Sequence, residues 1–128
     1  MSTLQPSPTG SVAAAISNAA VQLLSEYTGR GPTKARTAIS RDMVTILLQD
    51  TMTKAERTLA TTGQEKIVLE LRDRFQMTMR DDLVRAVELL MERKVIAFMS
   101  ANHIDPDMAV EVFVLESQAE NGAEAAHA

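Results

Sequence analysis

Residues 34–49 read Lys34-Ala35-Arg36-Thr37-Ala38-Ile39-Ser40-Arg41-Asp42-Met43-Val44-Thr45-Ile46-Leu47-Leu48-Gln49. The second half, Met43 to Leu48, is apolar or β-branched at odd and even positions alike. A strand that offers apolar side chains to both faces belongs in the middle of a sheet. The first half, Lys34 to Ser40, alternates less cleanly and sets Lys34 and Arg36 on one face, because strand side chains repeat every two residues. Ser40-Arg41-Asp42 joins the two halves, so the stretch predicts a β-hairpin with its second strand central.

Upstream, Met1 to Thr9 is rich in Ser, Thr and Pro and is expected to be disordered. From Gly10 or Ser11, Val12, Ile16, Ala19, Ala20, Leu23, Leu24 and Tyr27 recur at three- and four-residue spacing, the stripe of an amphipathic helix. Gly29, Gly31 and Pro32 end it. Downstream, Thr53-x-x-Glu56 is a capping box for a short helix in which Leu59 faces inward and after which Gly63 stops the turn.

Gln64 to Arg93 carries one long helical pattern, with Ile67, Leu71, Phe75, Met79, Leu83, Val87 and Leu90 or Met91 as its apolar stripe. About 30 residues at 1.5 Å each make roughly 45 Å, against a radius of gyration near ~14 Å for a domain of this size. The helix therefore breaks near Met77 to Asp82 or runs on to meet a second subunit. With no Gly or Pro inside it, the sequence favours a continuous helix and a homodimer contact.

Lys94 to Ala101 reads as a third strand, Asn102 to Asp107 as a loop turned by Asp105-Pro106, and Ala109 to Glu116 as a fourth strand. In that fourth strand Val110, Val112 and Val114 share one face, and Glu111, Phe113 and Leu115 the other. The expected fold is α+β, a two-layer sandwich in the order α-β-β-α-α-β-β with an antiparallel four-stranded sheet and helices on one face. One domain spans residues 11–116, between disordered ends at 1–10 and 117–128.

Composition narrows function by exclusion. The 128 residues hold no Cys, which removes disulfides, thiolate metal sites and cysteine nucleophiles. No apolar run approaches ~18 residues, so no transmembrane segment is expected. The first nine residues lack the basic and apolar regions of a signal peptide. Aromatics are only 3%, so the core is aliphatic with methionine as filler.

The net charge of −4 hides an asymmetry: +3 over residues 1–41, −1 over 42–100 and −6 over 101–128. Few aromatics and this overall sign speak against nucleic-acid binding.

Two segments concentrate candidate binding residues. Gly29, Arg30, Gly31, Lys34 and Arg36 combine permissive backbone with three cations and could hold a small anion. The segment is not a P-loop, and it sits at a helix C-terminus, where the dipole repels anions. Asn102, His103, Asp105 and Asp107 form the second. They suit a hydrogen-bonded turn or a partner contact better than a metal, because the only other imidazole is His127 near the C-terminus. Asp81 and Asp82 diverge by ~100° on a helix, and Arg85 four residues after Asp81 gives a surface ion pair. No catalytic residues, metal or cofactor are expected.

Several of these stretches together resemble the MpsC-like family. They are Gly29-Arg30-Gly31-Pro32-Thr33-Lys34-Ala35-Arg36, Asp42-Met43-Val44, Thr53-x-x-Glu56-x-x-Leu59, Arg74-Phe75, Lys94-Val95-x-Ala97-Phe98, Asn102-His103-Ile104-Asp105-Pro106-Asp107 and Glu111-Val112-Phe113-Val114-Leu115. The resemblance covers about residues 11–116. Arg30 stands where that family more often has Lys, and Glu92 near where a glycine often closes the long helix.

The family takes its name from a component of a sodium-translocating, membrane-potential-generating system. The resemblance implies a cytoplasmic accessory or regulatory protein, peripheral at the membrane, that binds a protein of an ion or inorganic-carbon transport complex without catalysing a reaction. The alternative is a small-anion or nucleotide sensor using residues 29–36.

Overall fold

A computed structural model describes residues 8–30 and 34–117. The expected disordered ends lie, for residues 1–7 and 118–128, outside the described residues, as do Gly31, Pro32 and Thr33. The order is α1 (Pro8–Thr28), β1 (Lys34–Ser40), β2 (Met43–Gln49), α2 (Lys54–Thr61), α3 (Glu65–Met91), β3 (Val95–His103) and β4 (Met108–Leu115). It matches the expected α+β order.

Every neighbouring strand pair is antiparallel, and the sheet order is β1-β2-β4-β3. The second strand of each hairpin thus lies inside the sheet, and β2 pairs with β4 from Met43 opposite Val114 to Gln49 opposite Met108. The apolar character of β2 on both faces fits this central place.

α1 and α3 lie on one face of the sheet. Ile16, Ala20 and Leu24 of α1 meet Val44, Ile46 and Leu48 of β2, Met79, Leu83 and Val87 of α3, and Ala109, Phe113 and Leu115 of β4. Phe98 joins Phe113 with ring centroids 5.1 Å apart. Two polar contacts tie α1 in place: the Ser17 and Thr37 hydroxyls at 2.7 Å, and Tyr27 Oη donating to Asp82 Oδ2 at 2.6 Å. Ala20 is 2% exposed; its single methyl lets the α1 backbone come close to its neighbours.

Helix ends follow their sequence signals. α1 begins at Pro8, slightly before Gly10, and stops at Gly29, whose φ of 72° is left-handed and whose NH donates to the Ser25 carbonyl at 2.8 Å. The capping box at α2 is complete: Thr53 Oγ1 accepts from Glu56 N, and Glu56 Oε1 accepts from Thr53 N. α3 runs unbroken for 27 residues and ends at Glu92, a non-glycine residue held at φ 54° and ψ 40°.

Four expectations are corrected. Asn102 and His103 belong to β3 and not to the loop, because β3 stays paired as far as His103 opposite Met108. The inner stripe of α3 begins with Val68, Arg72 and Gln76, so Ile67 is exposed and Leu71 and Phe75 are only half-buried. Methionine is not uniformly core filler: Met52 and Met79 are buried, whereas Met43, Met77 and Met99 are exposed. On the helix surface Arg85 pairs with Asp82 at 3.5 Å, while Asp81 pairs with Arg80 at 3.6 Å.

Arg93 fastens one end of the sandwich. Its guanidinium donates to Asp42 Oδ1 at 2.5 Å, to the Arg41 carbonyl at 3.0 Å and to the Glu116 carbonyl at 2.6 Å. One planar fork therefore holds the β1–β2 turn, the end of α3 and the end of β4 together.

Candidate functional site

The opposite end of the sandwich is built differently. There α3 turns Arg72 and Gln76 inward, one turn apart, onto a sheet whose inner positions are Asn102 of β3 and Glu111 of β4. Thr51 and Met52 follow β2, Glu56 comes from the first turn of α2, and Asp107 from the β3–β4 turn. Thr51, Glu56, Arg72, Gln76 and Glu111 are all buried. Buried polar groups are tolerable only when paired, and this cluster is paired at almost every atom.

Arg72 is its centre. Nε donates to Asn102 Oδ1 at 3.0 Å, Nη1 lies 3.4 Å from Glu56 Oε2, and Nη2 donates to Thr51 Oγ1. Thr51 in turn donates to Asp107 Oδ1 at 2.9 Å, and the Met52 NH donates to Asp107 Oδ2 at 2.8 Å. Gln76 and Asn102 bond reciprocally, at 3.1 and 2.7 Å, and Gln76 Nε2 also donates to Glu111 Oε1 at 2.9 Å. The network welds α2, α3, β3 and β4 into one piece.

Glu111 is the exception. It is 1% exposed, and its Oε2 has no hydrogen-bond partner among the described residues. It borders a cavity of about 20 Å³, about the room that one water needs. Burial pushes its carboxyl up to about 7, although the Gln76 hydrogen bond and the Arg72 charge pull the other way.

Outside this network lies an open groove of about 680 Å³ between α2, the start of α3 and the β3–β4 turn. Met52, Ala60, Leu69 and Ile104 give it an apolar lining, and Arg57, Glu65, His103 and Asp105 give it charged and polar groups. Arg57 keeps a loose contact with Asp107, 3.8 Å, while more than half of its side chain is exposed. The network holds the groove's walls, since Glu56 sits at the head of α2 and Asp107 and Asn102 flank the β3–β4 turn.

The sequence-derived candidates separate into two regions. Asn102, His103 and Asp105 line the groove, and Asp107 supports it from beneath. His103 Nδ1 lies 2.8 Å from the Pro106 carbonyl, a hydrogen bond within the turn. Gly29 and Arg30 lie at the end of α1, where Arg30 Nε donates to the Asp50 carbonyl at 2.9 Å. Lys34 and Arg36 are exposed on the edge strand β1, on the face turned away from the helices. Gly31 lies outside the described residues. No group of three or more His, Cys, Asp or Glu among the described residues could hold a metal ion.

Sequence reasoning missed Arg72, Gln76, Thr51 and the burial of Glu56 and Glu111. A signal was there. Arg72 and Gln76 continue the four-residue spacing from Val68 toward Met79, Leu83 and Val87, and Glu111 alternates with Ala109, Phe113 and Leu115. A polar residue in register with an apolar stripe is a candidate for a buried, paired group.

A sequence model of a family described as "MpsC: Na+-translocating membrane potential-generating system (MpsC)" matches residues 9–117. No curated protein and no solved structure matches the chain.

Proposed function

The chain belongs to the MpsC family, and from that premise we propose that it is a non-enzymatic accessory protein of a Na+-translocating, membrane-potential-generating system. It works at the cytoplasmic face by binding a protein component of that system. The observation that carries this reading is the groove between α2 and the β3–β4 turn. Its size is that of a recognition pocket, ~300–1,000 Å³, and its floor is apolar where Leu69 is 40% exposed. Arg57, Glu65 and Asp105 add charges of both signs. Such a surface suits a short protein segment that anchors an apolar side chain between charged neighbours.

Two further observations support the reading. No helix of the described residues is long and apolar enough to cross a membrane, so in this scheme other proteins of the system carry the ion. The Arg72 guanidinium is also engaged with Glu56, Thr51 and Asn102, and the His103 ring with the Pro106 carbonyl. That arrangement rigidifies the surface around the groove.

The test is affinity capture of the tagged chain from detergent-solubilised membranes of its host, with the captured proteins identified by mass spectrometry. A membrane-embedded transport protein is expected with the unaltered chain and is expected to be lost with Arg57→Glu or Leu69→Glu. Capture of the same protein by both variants, or of no membrane protein at all, refutes the groove as the binding surface.

A further inference from the structure

The helices cover one face of the sheet; the other is open. Its outward positions follow from the strand registers. They are Lys34, Arg36, Ala38 and Ser40 on β1, and Met43, Thr45, Leu47 and Gln49 on β2. Met108, Val110, Val112 and Val114 follow on β4, with Ala97, Met99, Ala101 and His103 on β3. A sheet with one face in water normally alternates apolar-in with polar-out. Here the outward residues of β4 are apolar throughout, and Thr45 and Gln49 are the only polar ones on β2. Met43 and Met99 are about half exposed. Charge is confined to Lys34 and Arg36 at one edge.

We propose that this face is the dimer interface, and that its occupant is the same face of a second copy of the chain. Area is the first argument. Four strands ~4.8 Å apart and about seven residues long at ~3.3 Å each give roughly 450 Å² in projection, and more as accessible surface. That reaches the largest apolar patches left bare on ordinary monomers, ~300–600 Å². Two such faces stacked together bury on the order of 1,200 Å², the lower bound for a stable specific interface.

Self-complementarity is the second argument. Two-fold stacking sets a surface against itself, which an apolar, nearly uncharged face allows. The position of the cations then selects one stacking. With the two-fold axis along the strands, between β2 and β4, β2 lies over the partner's β4 and β1 over the partner's β3. Long Met43 and Leu47 then meet a row of valines, and Lys34 and Arg36 stand over an edge that carries no Lys or Arg on this face. An axis across the strands would put β1 on the partner's β1 and line all four cations along one edge. Aligned sheet packing at ~10 Å accommodates the first arrangement. It also relocates the subunit contact expected from the length of α3, which lies flat over the sheet.

The full chain is examined by size-exclusion chromatography with light scattering between 1 and about 100 μM. Twice the mass of one chain is expected. Val112→Lys, at the centre of the face, is expected to weaken association at least ~100-fold and give the single-chain mass with an unchanged circular dichroism spectrum. Met99→Glu, on an exposed edge-strand position, repeats the test should Val112→Lys fail to fold. Leu89→Lys and Met77→Lys on α3 are expected to remain dimeric. A single-chain mass for the unaltered protein at 100 μM overturns the proposal. So does dissociation by the α3 variants with the Val112→Lys and Met99→Glu chains still paired. A single-chain protein that sediments with anionic phospholipid vesicles would assign the face to a membrane surface instead and equally overturns it.

Discussion

Replacing Glu111 by Gln should make the protein insensitive to a pH change that otherwise weakens it. Glu111 sits on the inner face of β4 between Ile46 and Ser100 of the flanking strands, with one carboxylate oxygen on Gln76 and the other unpartnered. Its carboxyl titrates near 4.5 when solvated and is pushed up to about 7 by burial in the fold. Below pH 4.5 the group is protonated whether the chain is folded or not, and it contributes nothing to pH dependence. Between pH 4.5 and 7 the unfolded chain gives up the proton while the folded chain keeps it, so stability falls as pH rises. Above 7 both states are ionised and the loss is complete. At ~1.4 kcal/mol for each pH unit, the full loss is about 3 kcal/mol, a large part of the ~5–15 kcal/mol of a typical domain.

Gln keeps the shape and the acceptor for Gln76 Nε2 but cannot ionise. Urea unfolding followed by circular dichroism at pH 5, 6, 7 and 8 measures both proteins. Glu111→Gln is expected to match the unaltered chain within ~1 kcal/mol near pH 5 and to exceed it by about 3 kcal/mol at pH 8. Taking the difference between the two proteins cancels the contribution of every group that both proteins share. A difference that stays constant from pH 5 to pH 8 would refute the idea that burial holds this carboxyl protonated.

Arg72→Met should cost ~3–5 kcal/mol, because it leaves the Glu56 carboxylate buried and unpaired; adding Glu56→Gln should recover part of that loss in the urea midpoint while the capping box survives. Glu92→Gly should stabilise the protein by ~0.5–1 kcal/mol, seen as a higher melting temperature, since the residue is held at φ 54°. Arg93→Ala should cost ~2–3 kcal/mol by the same assay, because Asp42 Oδ1 and the Arg41 and Glu116 carbonyls lose a charged donor. Phosphate, bicarbonate and ATP at millimolar concentration should leave the melting temperature unchanged; a rise of several degrees with any one of them would favour the anion-sensor alternative at residues 29–36.

Much of the fold was legible because it is written in local pattern. The two apolar faces of β2, the capping box at Thr53 and Glu56, the glycine stop at Gly29 and the absence of breakers in α3 are properties of neighbouring residues, and each appears where the sequence put it. The candidate site was half legible. The loop motif pointed to Asn102, His103, Asp105 and Asp107, which do gather at the groove and its support. It did not point to Arg72 and Gln76, which complete the site from beneath and whose one local sign is their register with Val68, Met79, Leu83 and Val87 on α3.

The reason lies in what each observation depends on. Helix and strand periodicity, caps and turns are decided within a few residues, so the sequence by itself determined the seven elements, their order and the α+β class. Which face of the first half of α3 turns inward depends on what waits beneath it. Arg72 reaches Glu56, Thr51 and Asn102, and Thr51 reaches Asp107, across separations of 16 to 56 residues, and a buried guanidinium is stable only once those partners have assembled. Strand order is decided in the same way: laying β2 beside β4 is what buries Glu111 on one face and gathers Met43, Leu47 and three valines on the other. Tertiary structure alone therefore decided the buried network, the groove it supports and the open apolar face, since each is a relation between segments far apart in the chain.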